Sequence, residues 1–144
     1  MGALYFNGQE ATSTLFNRTM VVGTDAVPAS GSHTWYGRIR YNGSTWEVST
    51  SNGSAGVATA MLSWDATDDE LDIDFTTSIH FASAPIIVGT PLNLDSAYNV
   101  KTSVSESSGE FTGHIAFFNI STGARITTES TDMDVNVIIT GPYV

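Results

Sequence analysis

Tyr98-Asn99-Val100-Lys101-Thr102-Ser103-Val104 and Phe111-Thr112-Gly113-His114-Ile115-Ala116-Phe117 decide the fold. In both, apolar or small residues recur at every second position. That period puts one face of an extended chain in a core and the other against water or a partner. The polar stretch Ser107–Glu110 between them reads as a turn. The same alternation appears in Leu71/Ile73/Phe75 and in Met133/Val135/Val137/Ile139, and no segment of the chain has a helical period.

Working outward, the pattern predicts further strands at Ala3–Phe6, Thr14–Val22, His33–Tyr41, Ser44–Thr50, Val57–Trp64, Glu70–Phe75, Ile86–Val88 and Ala124–Thr128, with Ile79–Phe81 as a possible continuation of Glu70–Phe75. Pro85 and Pro91 bracket Ile86–Val88, which makes that strand short or places it at an edge. Asn42-Gly43 between two aromatic-rich runs predicts a hairpin with a type I′ turn, in which both residues take positive φ. Across it, Trp35, Ile39 and Tyr41 face Trp46 and Val48. Strands at this spacing predict an all-β, antiparallel β-sandwich, jelly-roll-like, with about nine to eleven short strands. One domain over residues 1–144 is the simplest division, with a minor subdivision near 78–83 as the alternative.

A chain of 144 residues buries roughly 68–70% of its unfolded surface, enough for a core without staples. It has no cysteine, which removes thiol catalysis, thiolate metal sites and disulfides together. The net charge of −10, with a single Lys (Lys101), argues against nucleic acid and anionic membrane as partners. The first residues lack the basic start and apolar run of a signal peptide and the Ser or Thr of a myristoylation signal. No stretch has the roughly 20 apolar residues of a membrane span. Ser and Thr supply a quarter of the chain, the composition of an extracellular or virion β-protein.

Chemistry-bearing residues are sparse. The densest charge is Asp65, Asp68, Asp69, Glu70, Asp72 and Asp74. Asp65, Asp68 and Asp69 form a calcium candidate, since calcium takes oxygen ligands from loop carboxylates. Their spacing departs from the EF-hand loop, and the plainer reading is an acidic turn beside a solvated strand face. His33, His80 and His114 are dispersed, which suits packed or surface histidines. No Gly-x-Ser-x-Gly elbow and no phosphate-binding loop is present, so the expectation is no enzyme and no cofactor. Trp35, Tyr36, Tyr41 and Trp46 are the binding candidates: on an exposed hairpin they would stack on sugars or anchor an interface, and otherwise they are core. Four Asn-x-Ser/Thr sequons (Asn17, Asn42, Asn52, Asn119) read as turn and strand residues.

From Ile79 onward the chain runs IHFASAPIIVGTPLNLDSAYNVKTSVSESSGEFTGHIAFFN and later DVNVIITG. The apolar-Phe-x-x-x-Pro-apolar-apolar opening, the Val-x-x-Ser-x-Ser strand, Gly-x-Phe-x-Gly and the closing Val-x-Val-x-x-x-Gly resemble the six-stranded sandwich of H-type lectins. Similar modules occur in structural proteins of tailed phages. Where that lectin pattern closes on a Trp-containing strand, this chain has Val135-Asn136-Val137-Ile138-Ile139, so no sugar-contact residue carries over. The resemblance implies a sandwich and a habit of trimerising.

Together these readings lead to a structural virion protein: a head decoration or cement protein, acting as a homotrimer against the major capsid protein or another virion protein, at the capsid surface or tail. Such a role expects both chain ends to be packed. The alternative is a carbohydrate-binding adhesion or receptor-binding module of a phage tail or cell surface, with a glycan as partner and two exposed aromatics side by side.

Overall fold

The computed structural model describes residues 5–6, 9–10, 32–52, 56–77, 80–92 and 98–142. Among them lie ten strands: β1 (Tyr5–Phe6), β2 (Gln9–Glu10), β3 (Ser32–Tyr41), β4 (Trp46–Ser51), β5 (Leu62–Asp65), β6 (Glu70–Asp74), β7 (Ile86–Pro91), β8 (Tyr98–Ser107), β9 (Glu110–Asn119) and β10 (Asp134–Pro142). The only helical pieces among these residues are single 3-10 turns at Thr59–Met61 and Phe75–Thr77. No helix among them is long and apolar enough to cross a membrane. The strand predicted at Thr14–Val22, Asn17 and both chain ends lie outside the described residues.

Two four-stranded antiparallel sheets form the sandwich, in the orders β4-β3-β10-β7 and β5-β6-β9-β8; β1 and β2 pair separately. The chain alternates between sheets. It makes the β3–β4 hairpin in the first and the β5–β6 hairpin in the second, returns for β7, crosses again for β8–β9, and closes with β10 between β3 and β7. Each sheet therefore draws strands from both sides of 78–83.

The period-two residues fill the space between the sheets. Trp35, Ile39, Val135, Val137 and Ile139 of one sheet, and Leu71, Ile73, Ile115 and Phe117 of the other, are each at most 1% exposed. Burying side chains of this size stabilises the fold by about 1.5–3 kcal/mol apiece. Trp46 joins the layers: its ring stacks on Trp64 at 6.0 Å and on Phe117 at 5.7 Å. Gly113 faces inward on β9 because the Ile87 side chain of the opposite sheet occupies that space; a Cβ there would lie 2.5 Å from Ile87 Cδ1. The Tyr98 hydroxyl donates to the Asp132 carbonyl and accepts the Asp134 N–H at 2.7 Å, anchoring the start of β10.

Both ends of the sandwich have their edge strands tied by threonine. Thr102 on β8 donates its hydroxyl to the Ile87 carbonyl on β7 at 2.7 Å. Thr59 accepts the Val48 N–H of β4 at 3.0 Å. Side-chain partners of this kind occupy groups that would otherwise invite another strand. Pro91 ends β7, and β7 is an edge strand, as its prolines require.

Three local expectations are corrected. The Asn42-Gly43 connection is a four-residue loop, since Tyr41 pairs with Trp46. Gly43 alone of the two has positive φ (+97°), and Asn42 instead accepts the N–H groups of Ser44 and Thr45 at 3.0 Å each. An Asn side chain that closes its own turn removes the need for a second left-handed residue. Val57–Trp64 is not one strand: Met61 N–H bonds back to the Ala58 carbonyl at 2.9 Å, and the resulting turn carries the chain from β4 to the second sheet. Ala124–Thr128 forms only the isolated bridge Phe118–Arg125. Beyond it, Glu129 accepts the buried Trp46 indole N–H at 2.6 Å, which draws the segment toward β4.

Candidate functional site

The outward positions of the two sheets differ in kind. On β3, β10 and β7 they are Thr34, Tyr36 and Arg38; Asn136, Ile138 and Thr140; and Ile86, Val88 and Thr90. The ladder sets Ile138 opposite Tyr36 on one side and opposite Val88 on the other. Tyr36 is 57% exposed, Ile138 48%, Val88 51% and Ile86 65%. Three strands thus present one row of large apolar side chains to solvent, with Ile86 two residues from Val88 on the same face. Single exposed apolar residues are ordinary, whereas a contiguous row marks a contact surface. Beside it an open groove of about 480 Å³ is lined by Tyr36, Gly37, Thr50, Ser51, Asn136, Val137 and Ile138.

Among the described residues, charge on this face is confined to one end and is paired. Arg38 holds both carboxylate oxygens of Asp134, its Nε donating to Oδ1 at 2.8 Å and its Nη2 to Oδ2. Arg40 Nε donates to Glu47 Oε1 at 2.6 Å. Glu47 is held below the usual carboxylate range, first by the Arg40 hydrogen bond and then by that of Asn42. Among the described residues, the outward neighbours of Tyr36, Ile138 and Val88 are threonines, Asn136 and Arg38, and Arg38 is neutralised by Asp134, so this region adds no net charge to a chain of net −10.

The hairpin aromatics divide. Trp35 is 1% exposed and Trp46 5%, so both belong to the core; Tyr41 is half-buried against Trp46 at 5.6 Å. Tyr36 stands outside, and its cross-strand neighbour is Ile138 rather than a second ring. Alternation separates Trp35 from Tyr36, because adjacent strand residues point to opposite faces. The face formed with β7 and β10 joins segments roughly 50 and 100 residues away, so spacing along the chain gave no signal for it. Exposed apolar residues at the outward positions of β7 and β10 were the signal available in the sequence.

The outer face of β6, β9 and β8 is mostly polar, with Ala116 and Phe118 of β9 as its apolar members and Lys101 over the Phe118 ring. Asp65, Asp68 and Asp69 do not converge as a calcium site. Asp65 Oδ1 accepts the Thr67 N–H at 2.7 Å within its own turn, and that bond is the main cause holding its carboxyl below the ordinary range. Among the described residues, the acids and histidine that converge are Glu70, Asp72 and His114, with one ligand atom from each within 4.8 Å of the others. His114 Nδ1 lies 2.7 Å from Asp72 Oδ1 and 3.0 Å from Glu70 Oε1. Its Nε2 lies 2.7 Å from Ser105 Oγ, and Arg125 Nη2 holds the other Glu70 oxygen at 2.6 Å. Sequence reasoning kept His114 apart from the acids. The β6–β9 register, which sets Asp72 opposite His114, is a long-range pairing that the local pattern does not encode. The Ser105–His114–Asp72 contacts have the connectivity of a nucleophile–base–acid relay, but Ser105 is exposed on an edge strand, without the enclosure such chemistry uses.

No protein-family model, no characterised protein and no solved structure matches the chain.

Proposed function

We propose that this protein is a non-enzymatic structural protein of a virion, of the capsid decoration or cement kind. In this reading it assembles as a homotrimer through the outer face of β3, β10 and β7. The observation that carries it is the exposed row Tyr36–Ile138–Val88 with Ile86 beside it. Copies of a chain of net −10 repel one another, and this neutral region is where they approach at least electrostatic cost. The acidic outer face of β6, β9 and β8 then points away from the contact and keeps the assembly soluble. Serine and threonine richness, the absence of cysteine and the resemblance to trimerising sandwiches support the same reading.

Adhesion to sugars has less support. It calls for two exposed aromatics side by side, and Tyr36 has aliphatic neighbours.

Light scattering tests the assembly. The expected result is a trimer mass for the native chain and a monomer mass for Ile138→Asp with unchanged circular dichroism; a native chain that stays monomeric at all concentrations contradicts it. Placement on a capsid is tested by adding the purified protein to cognate heads stripped of decoration protein. Co-sedimentation with the heads supports the reading, and protein left at the top of the gradient opposes it.

A further inference from the structure

We propose that Glu70, Asp72 and His114 form a binding site for a zinc-class divalent cation on the acidic face, opposite the assembly face and independent of it. The ligand types choose the metal class. Calcium and magnesium favour all-oxygen shells, whereas an imidazole nitrogen joined to carboxylates suits zinc and its neighbours in the first transition row.

Three features build the site. The ligands sit on paired central strands, Asp72 directly opposite His114 in the ladder and Glu70 two residues along on the same face. All three side chains are largely shielded, at 15% exposure for His114, 16% for Glu70 and 24% for Asp72. The His114 ring is oriented from behind: Ser105 Oγ lies 2.7 Å from Nε2, so Nδ1 is the nitrogen turned to the carboxylates. A partner on the far nitrogen is the arrangement that fixes ring and tautomer in histidine–metal sites. Arg125 plays the corresponding part for Glu70 by holding its second oxygen.

The geometry needs little change. In a tetrahedral shell with Zn–N and Zn–O near 2.0–2.2 Å, ligand atoms stand about 3.4 Å apart. The present separations from Nδ1 are 2.7 and 3.0 Å, ordinary hydrogen-bonding distances. An ion seated among these atoms widens the contacts by less than 1 Å, within reach of side-chain rotation. Water completes the shell on the solvent side.

The test is calorimetric titration of the full chain with zinc chloride at neutral pH, followed by nitrogen-detected histidine NMR of the native protein. One site per chain is expected, together with a large shift of His114 Nδ1 and little change at His33 or His80. His114→Ala and Asp72→Asn should each weaken binding at least 100-fold. Ser105→Ala, which removes only the orienting contact, should weaken it about 10–100-fold. His80→Ala, at an exposed position beside Glu110, should leave it unchanged. The proposal is overturned if zinc does not bind, if it shifts His33 or His80 in place of His114, or if affinity survives His114→Ala. The NMR readout on the native chain is unaffected by any folding defect of the variants. Trimer mass is read separately, so the failure of either proposal is distinguishable from that of the other.

Discussion

Trp35 lies flat against backbone that carries no side chains. A Cβ on Gly37 would stand 2.5 Å from the Trp35 ring and 2.7 Å from the Thr50 carbonyl oxygen. The oxygen belongs to the neighbouring strand and cannot swing away, so Gly37→Ala should cost about 1–3 kcal/mol in urea denaturation, as overpacking does. Trp46 depends on a different contact. Its buried N–H has Glu129 as acceptor, and Glu129→Ala should destabilise by about 1–3 kcal/mol through the unsatisfied donor. Neither dependence was visible from composition, because a tryptophan in an alternating run gives its face but not what its ring lies against. Acid sensitivity also originates at single residues. Glu47 and Asp65 have folded pKa values below their ordinary 4.5 and 3.8. Their contribution is therefore complete above those values and is lost as pH falls below them through the lowered folded values. Glu47→Gln should lower the thermal midpoint at pH 7 and flatten its decline below pH 4.5, so that the two proteins converge in acid.

At the scale of the strand, parity decides most outcomes. Ile139 and Ile138 are neighbours on β10, yet Ile139 is 0% exposed and Ile138 48%. Ile139→Ala should cost about 2–5 kcal/mol, while Ile138→Ala in the dissociated monomer should stay within about 0.5 kcal/mol, as surface substitutions do. Similar costs at both positions, measured in dilute solution, would mean that the register of β10 is wrong. Parity was readable wherever alternation ran unbroken, which is why β3, β6, β8, β9 and β10 were predicted close to their observed bounds. It failed where side chains took over backbone bonding. Asn42 closes its own loop, Thr59 accepts a bond from β4, and Glu129 draws its segment toward Trp46; each competes with strand pairing through a partner distant in sequence or local to a turn.

For the whole molecule, the sandwich has two unlike outer faces, one neutral and apolar, the other acidic with a histidine at its centre. Neither was legible as a unit in the sequence. Each draws on strands from both halves of the chain, and the order β4-β3-β10-β7 arises because the chain leaves that sheet and returns to it twice. What could be read was the set of outward residues on each strand; which strands are neighbours came only from the fold. The proposed assembly requires that the apolar face be covered in the working state. Because the chain has no cysteine, the rate at which a maleimide labels Ile138→Cys, compared with Ser103→Cys on the acidic face, reports that cover directly. With rising protein concentration, labelling at 138 should slow at least tenfold while labelling at 103 stays constant. Equal rates at both positions across all concentrations would show that the apolar face stays uncovered.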